Sequence, residues 1–169
     1  DEPRVLFSSS HQYPYYPGTG SLTETGRGKA AGTKINVPLS AGVGDEGFKA
    51  IYAQVLIPLL RRFEPQLILV SAGYDAHWND PLAQLGLTLT GMAWMSETLV
   101  GLAAELCGGK IVFTLEGGYN LNVLGHGVAN SVSALLGRNN FADPIGPSPW
   151  PEPDLRDLIA RLKQIHRLP

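Results

Sequence analysis

Two unbroken apolar runs constrain this chain more than any other feature. Leu67-Ile68-Leu69-Val70-Ser71 and Lys110-Ile-Val-Phe-Thr-Leu115 are short, rich in branched residues and bounded by polar turns, the pattern of strands buried on both faces of a sheet. Between them, Leu89 to Leu106 changes period. Met92, Met95, Leu99, Leu102 and Leu106 recur at helical spacing, and Gly108-Gly109 closes the segment. A strand, a helix and a second strand in succession form a parallel unit. More of the same surrounds it. Val5 to Ser8 reads as a buried strand, Lys34 to Leu39 as another, and Asp45 to Leu60 as a helix with Asp45 as its N-cap and Pro58 as a kink. Val123 to Leu136 reads as a small-residue helix. The segment from Asn140 to Pro153 is proline-rich and leads into an amphipathic helix carrying Leu155, Leu158, Ile159, Leu162 and Ile165.

The implied fold is a three-layer α/β/α arrangement around a parallel sheet, with residues 1–169 forming part of one domain and 139–169 its proline-rich segment and terminal helix. A chain of 169 residues with 44% apolar and 17% charged residues is globular in balance. The net charge of -2, without a basic block, gives nothing for nucleic acid to bind. No apolar run approaches the roughly 20 residues of a membrane span. Cys107, the one cysteine, excludes an internal disulfide and a cysteine-only zinc site, and its surroundings read as a buried helix end. The first residue is not Met and a strand begins within four residues, so further chain upstream is expected.

In open parallel sheets, ligands bind beyond the carboxyl ends of the strands. Two loops leave those ends. The first, Ser71-Ala-Gly-Tyr-Asp75-Ala-His77-Trp-Asn-Asp80-Pro81, places a carboxylate and an imidazole two positions apart, on one face of an extended segment. Zinc accepts both donor types. Asp75 and Asp80 could equally cap turns or helix ends. The second, Glu116-Gly117-Gly118-Tyr119-Asn120, lets the backbone approach a ligand closely and follows with a tyrosine able to donate to a developing oxyanion; a plain glycine turn fits as well. A third stretch, Ser8-Ser-Ser-His11-Gln-Tyr13-Pro-Tyr15-Tyr16-Pro-Gly-Thr-Gly20, is long, turn-rich and aromatic, and suits either a wall for an aliphatic ligand or ordinary loop packing.

These three motifs in this order resemble the histone deacetylase superfamily, over about Val5 to Leu136. The likeness is greatest to its class II and bacterial deacetylase-like branch, which includes acetylpolyamine amidohydrolases, and the proline-rich tail resembles bacterial members. The resemblance implies a zinc-dependent amidohydrolase acting on acetyl-lysine or related acylamines, in the cytoplasm, with neither nucleic acid nor membrane as a partner. It makes Asp75 a zinc ligand and Tyr119 the catalytic tyrosine that polarises the acetyl carbonyl. Tyr16, Gly117 and Gly118 become substrate-binding walls of a narrow tunnel. Ser9 and Ser10 fall near a structural potassium site. The counterpart of His77 is not a ligand, so His77 takes a supporting role. The family's tandem histidines and its Asp-x-His zinc pair have no match here: His11, His77, His126 and His166 stand apart from one another. The chain is therefore expected to be the C-terminal part of a catalytic domain, inactive without the segment before it. Two other readings stay open, a non-catalytic domain that binds an acylated ligand or partner, and a nucleotide-binding α/β domain.

Overall fold

The computed structural model describes residues 2–169. Strand β1 (Phe7–Gln12) pairs in parallel with β2 (Lys34–Leu39), from Phe7 opposite Lys34 to Gln12 opposite Leu39. Strand β3 (Ile68–Ala72) pairs in parallel with β4 (Ile111–Leu115), from Ile68 opposite Ile111 to Ala72 opposite Leu115. Among the described residues these are separate two-stranded sheets. Helices α1 (Asp45–Ile51) and α2 (Ile57–Phe63) lie between β2 and β3, with α3 (Leu89–Cys107), α4 (Leu121–Leu135) and α5 (Arg156–His166) following. Among the described residues, no helix is long and apolar enough to cross a membrane.

Several element edges differ from the sequence reading for identifiable reasons. Val5 lies outside β1, which runs on through the serines to Gln12, and Phe7 faces solvent; β1 is not the buried strand expected. Asp45 does not cap α1. Gly44 holds the N-cap position. The carboxylate of Glu152, from the proline-rich segment, supplies the acceptors instead, taking N–H bonds from Gly44, Glu46 and Gly47 at 3.1, 3.0 and 2.8 Å. An anion there complements the helix dipole. The freed Asp45 carboxylate bonds the Thr88 backbone at 2.9 Å and its hydroxyl at 2.6 Å, and Thr88 in turn caps α3. Where a kink at Pro58 is expected, a widened π turn, Tyr52–Leu56, stands just before it. Proline has no N–H for the carbonyl four residues back and its ring crowds that carbonyl, which a wider turn relieves.

The β3–β4 ladder alternates as far as Thr114, and Leu115 after it is also exposed. Ile68, Val70 and Ile111 pack against Ala103 and Cys107 of α3, whereas Leu69 is 71% exposed and Val112 also faces solvent. The expectation of strands covered on both faces is corrected: in this chain helix packs on one side of the ladder. The main core lies around α1, α2, β2 and α5, where Ile35, Leu39, Ile51, Leu59, Leu87, Leu89 and Leu162 are fully buried. Cys107 is buried at the last residue of α3, as the sequence suggests, and Gly108 closes that helix in the left-handed region at φ 62.

His166, the last residue of α5, is buried, and neither ring nitrogen finds a hydrogen-bond partner among the described residues. Burial holds its pKa below the ordinary histidine value, and the nearby Arg62 charge acts in the same direction. A depressed histidine pKa adds stability that is fully present above the unfolded value and is lost as pH falls below it. The thermal unfolding midpoint is therefore expected to drop between about pH 7.5 and about pH 5, on either side of an unfolded pKa near 6.5. His166→Leu should show a shallower drop; equal slopes for the two proteins would exclude a role for His166.

Candidate functional site

The parallel register of β3 and β4 brings their following loops out side by side. Backbone bonds stitch them together at once: Glu116 N–H to the Ala72 carbonyl at 3.0 Å and Tyr74 N–H to the Gly117 carbonyl at 2.9 Å. Tyr74 anchors this pair of loops from beneath. Its ring is buried against Gly127 of α4, where an added Cβ would lie 2.4 Å from a ring carbon. Its hydroxyl meets Ser131 Oγ at 2.9 Å, and Ser131 meets Ser96 of α3 at 3.0 Å.

One residue later stands Asp75. Its carboxylate fits beneath two glycine backbones: a Cβ added to Gly117 would come within 2.6 Å of Oδ2, and one added to Gly73 within 2.8 Å of Oδ1. Burial raises the Asp75 carboxyl above the usual carboxylate range, and the negative charge of Asp80 adds to the effect. A partly desolvated carboxylate seated where side chains are excluded is suited chemically to a cation. Among the described residues no cluster of three or more His, Cys, Asp or Glu forms around it. The residues present thus fit one donor of a metal site.

His77 does not join Asp75. It is wholly buried, its ring stacks on Trp78 at 5.6 Å, and Nδ1 accepts the Asn79 N–H at 3.0 Å. Burial keeps its pKa below the ordinary value, so the neutral ring serves the loop's shape. Spacing placed the two side chains on one face; the turn that begins at Tyr74 removes that relation. Asp80 is a turn acceptor, as the sequence allowed: Oδ1 takes N–H bonds from Leu82 at 2.9 Å and Ala83 at 3.2 Å. Its other oxygen reaches the Tyr119 backbone, a tie across 39 positions that no local pattern signals.

Gly117 and Gly118 connect β4 to Tyr119. Gly118 has φ +136, closed to side-chain-bearing residues, and an added Cβ would press on Leu124 and Tyr74 at 3.1 Å. Asn120 then caps α4 by accepting from Asn122 and Val123 N–H, which starts the helix two residues before the sequence reading. Tyr119 is 54% exposed, at the rim of the joined loops. Asp75 and Gly117 are in contact, and Tyr119 follows two residues on. Tyr16 is 95% exposed on the β1–β2 loop. That loop and the end of β1 before it are tied to the β3–α3 segment through Tyr15 and Gln12, which bond Gln84 at 3.1 and 2.9 Å. Ser9 Oγ pairs with His11 Nδ1 at 3.0 Å, and His11 Nε2 reaches the Gly20 carbonyl at 3.0 Å, so these groups hold the loop's course.

Comparison with known proteins gives a consistent picture. Residues 1–135 match the family model described as the histone deacetylase domain. The chain is 43% identical to histone deacetylase 14, chloroplastic, of Arabidopsis thaliana, over 99% of its own length and 41% of that protein. It is 45% identical to a probable deacetylase of Archaeoglobus fulgidus, over 72% of the chain and 34% of that protein. Among solved structures it is similar to the HDA15 HD domain, with TM-score 0.80, 32% identity, and 96% and 43% of the two chains covered. It also resembles the histone deacetylase Clr3, with TM-score 0.85, 31% identity, and 98% and 28% covered. The chain thus spans about two fifths of the length of the plant protein and a third of the archaeal one. The relatives named here are plant, archaeal and fungal.

The Tyr74 anchor can be tested by two neighbouring glycines. Gly127→Ala is expected to cost about 1–3 kcal/mol in urea unfolding, because its Cβ overlaps the Tyr74 ring. Gly125→Ala, with open space around it in the same helix, is expected to gain about 0.5–1 kcal/mol. Equal effects would mean that Tyr74 is not seated on Gly127.

Proposed function

The chain belongs to the histone deacetylase family, and from that premise we propose that it is the C-terminal part of a zinc-dependent amidohydrolase that removes acetyl groups from acetyl-lysine or related acylamines. The observation that carries this reading is the Asp75 carboxylate seated under Gly73 and Gly117, with Tyr119 two residues beyond on the same loop. Asp75 would hold the zinc ion together with donors from the upstream segment. Bound zinc supplies Lewis-acid polarisation of the acyl carbonyl and lowers the pKa of a bound water.

The chain's own residues have separable tasks. Tyr119 donates its hydroxyl to the oxygen on which charge develops as the acyl carbon becomes tetrahedral; such a donor matters most when water is excluded around it. Gly117 and Gly118 give the acyl chain a wall without side chains, and Tyr16 lines the mouth of the tunnel from the β1–β2 loop. His77 braces the Asp75 loop from inside. The general base and the remaining metal donors fall to the upstream segment. That segment also completes the sheet: the solvent-facing Leu69 and Val112, and sheets that are two-stranded among the described residues, support a partner element there. A structural potassium near Ser9 and Ser10 belongs to the same reading but takes no part in the chemistry. For the compartment, the cytoplasm is our reading, with a plastid the alternative raised by the plant relatives named chloroplastic.

The test is to compare this chain with the longer protein that includes its upstream segment, measuring zinc content and turnover of an acetyl-lysine fluorogenic peptide. Zinc and activity are expected in the longer protein alone. There, Asp75→Ala should abolish stoichiometric zinc, and Tyr119→Phe should reduce kcat on the order of 10²–10³-fold. Tight zinc in the 169-residue chain by itself would contradict the proposed ligand set.

A further inference from the structure

Tyr119 reaches its place through its backbone. Among the described residues its hydroxyl makes no hydrogen bond, so the position of the ring depends on where its Cα is fixed. Before it lies Gly118, in a conformation open to glycine; by itself such a hinge leaves the following residue free to swing. One side chain opposes that freedom. The Tyr119 N–H donates to Asp80 Oδ2 at 2.9 Å. Asp80 is 8% exposed, and Oδ1 of the same carboxylate holds the Leu82 and Ala83 N–H groups. A second tie runs parallel to the first: Asn120 Nδ2 donates to the Asn79 carbonyl at 2.9 Å. Two consecutive residues of the tyrosine loop are therefore pinned to two consecutive residues of the aspartate loop.

We propose that Asp80 is a positioning residue for Tyr119, its buried carboxylate fixing the tyrosine backbone relative to the loop that carries Asp75. This rests on the proposed deacetylase function and adds to it a residue that touches neither metal nor substrate. A neutral amide separates the two roles of the carboxylate. In Asp80→Asn the remaining oxygen can keep the Leu82 and Ala83 turn, but the amide nitrogen then faces the Tyr119 N–H, donor against donor. The tyrosine loop is released while the turn stays intact.

The experiment is a double-mutant cycle in the full-length protein, read on an acetyl-lysine peptide with kcat and KM determined separately. Asp80→Asn is expected to lower kcat on the order of 10–100-fold, as misplacement of a reacting group by about 1 Å does, with KM changed less than about threefold if ground-state binding is spared. In a Tyr119→Phe background the same substitution should cost almost nothing more. Asn120→Ser, which keeps an N-cap oxygen for α4 and loses the tie to Asn79, should show a smaller kcat loss that also vanishes in that background. If Asp80→Asn does not fold, Asp80→Ser, whose hydroxyl keeps a turn acceptor and lacks the second oxygen that holds the Tyr119 N–H, takes its place in the cycle and the same outcomes decide. Unchanged kcat, or losses that add in full to that of Tyr119→Phe, overturn the positioning role while leaving the function standing. An inactive wild-type protein, or a Tyr119→Phe protein as active as wild type, overturns the function and this inference together.

Discussion

The in-register pairing of β3 with β4 is the constraint on which the rest of the site depends. Ala72 lies opposite Leu115, so the strands end level and their two loops emerge together. Everything chemical here is a consequence of that level ending. The Tyr74 and Glu116 backbone bonds close the gap, Gly117 comes over Asp75, and the tyrosine after it falls within reach of Asp80. A shift of one residue in the ladder would turn each side chain to the opposite face and separate these partners.

Support for the ladder is uneven. Below it, α3 and α4 are joined by the Tyr74–Ser131–Ser96 chain of hydroxyls and by close glycine contact. On its other face Leu69 and Val112 meet solvent. Away from the site, Glu152 and Asp45 form a relay of caps, the first serving α1 and the second serving the start of α3 through Thr88. The proline-rich segment is thereby part of the structural frame, since α1 depends on it for its N-terminal acceptors.

Local rules carried the sequence reading a long way. β2 runs over the very residues, Lys34 to Leu39, that alternation picks out; β3 is shifted one residue along from its apolar run, and β4 begins one residue inside its own. Gly108 stops α3 as a left-handed cap should. What could not be read is long-range. Asp45 looks like an N-cap from its position, yet an acceptor more than 100 residues away takes that role. Asp75 and His77 share a face only if the segment stays extended, and it turns. The tie between Asp80 and Tyr119 has no signature in either motif alone. The continuous apolar runs read as doubly covered strands because composition reports what a face prefers to meet, whereas among the described residues Leu69 and Val112 meet solvent.

The central claim is that this chain brings an aspartate ligand and an oxyanion-stabilising tyrosine to one metal. The most direct test is a crystal structure of the full-length protein recorded with anomalous data at the zinc edge. A single zinc peak is expected within coordination distance of the Asp75 carboxylate, about 2.0–2.2 Å, with the Tyr119 hydroxyl facing the same open coordination position. A zinc peak elsewhere, or one whose ligands exclude Asp75, would contradict it.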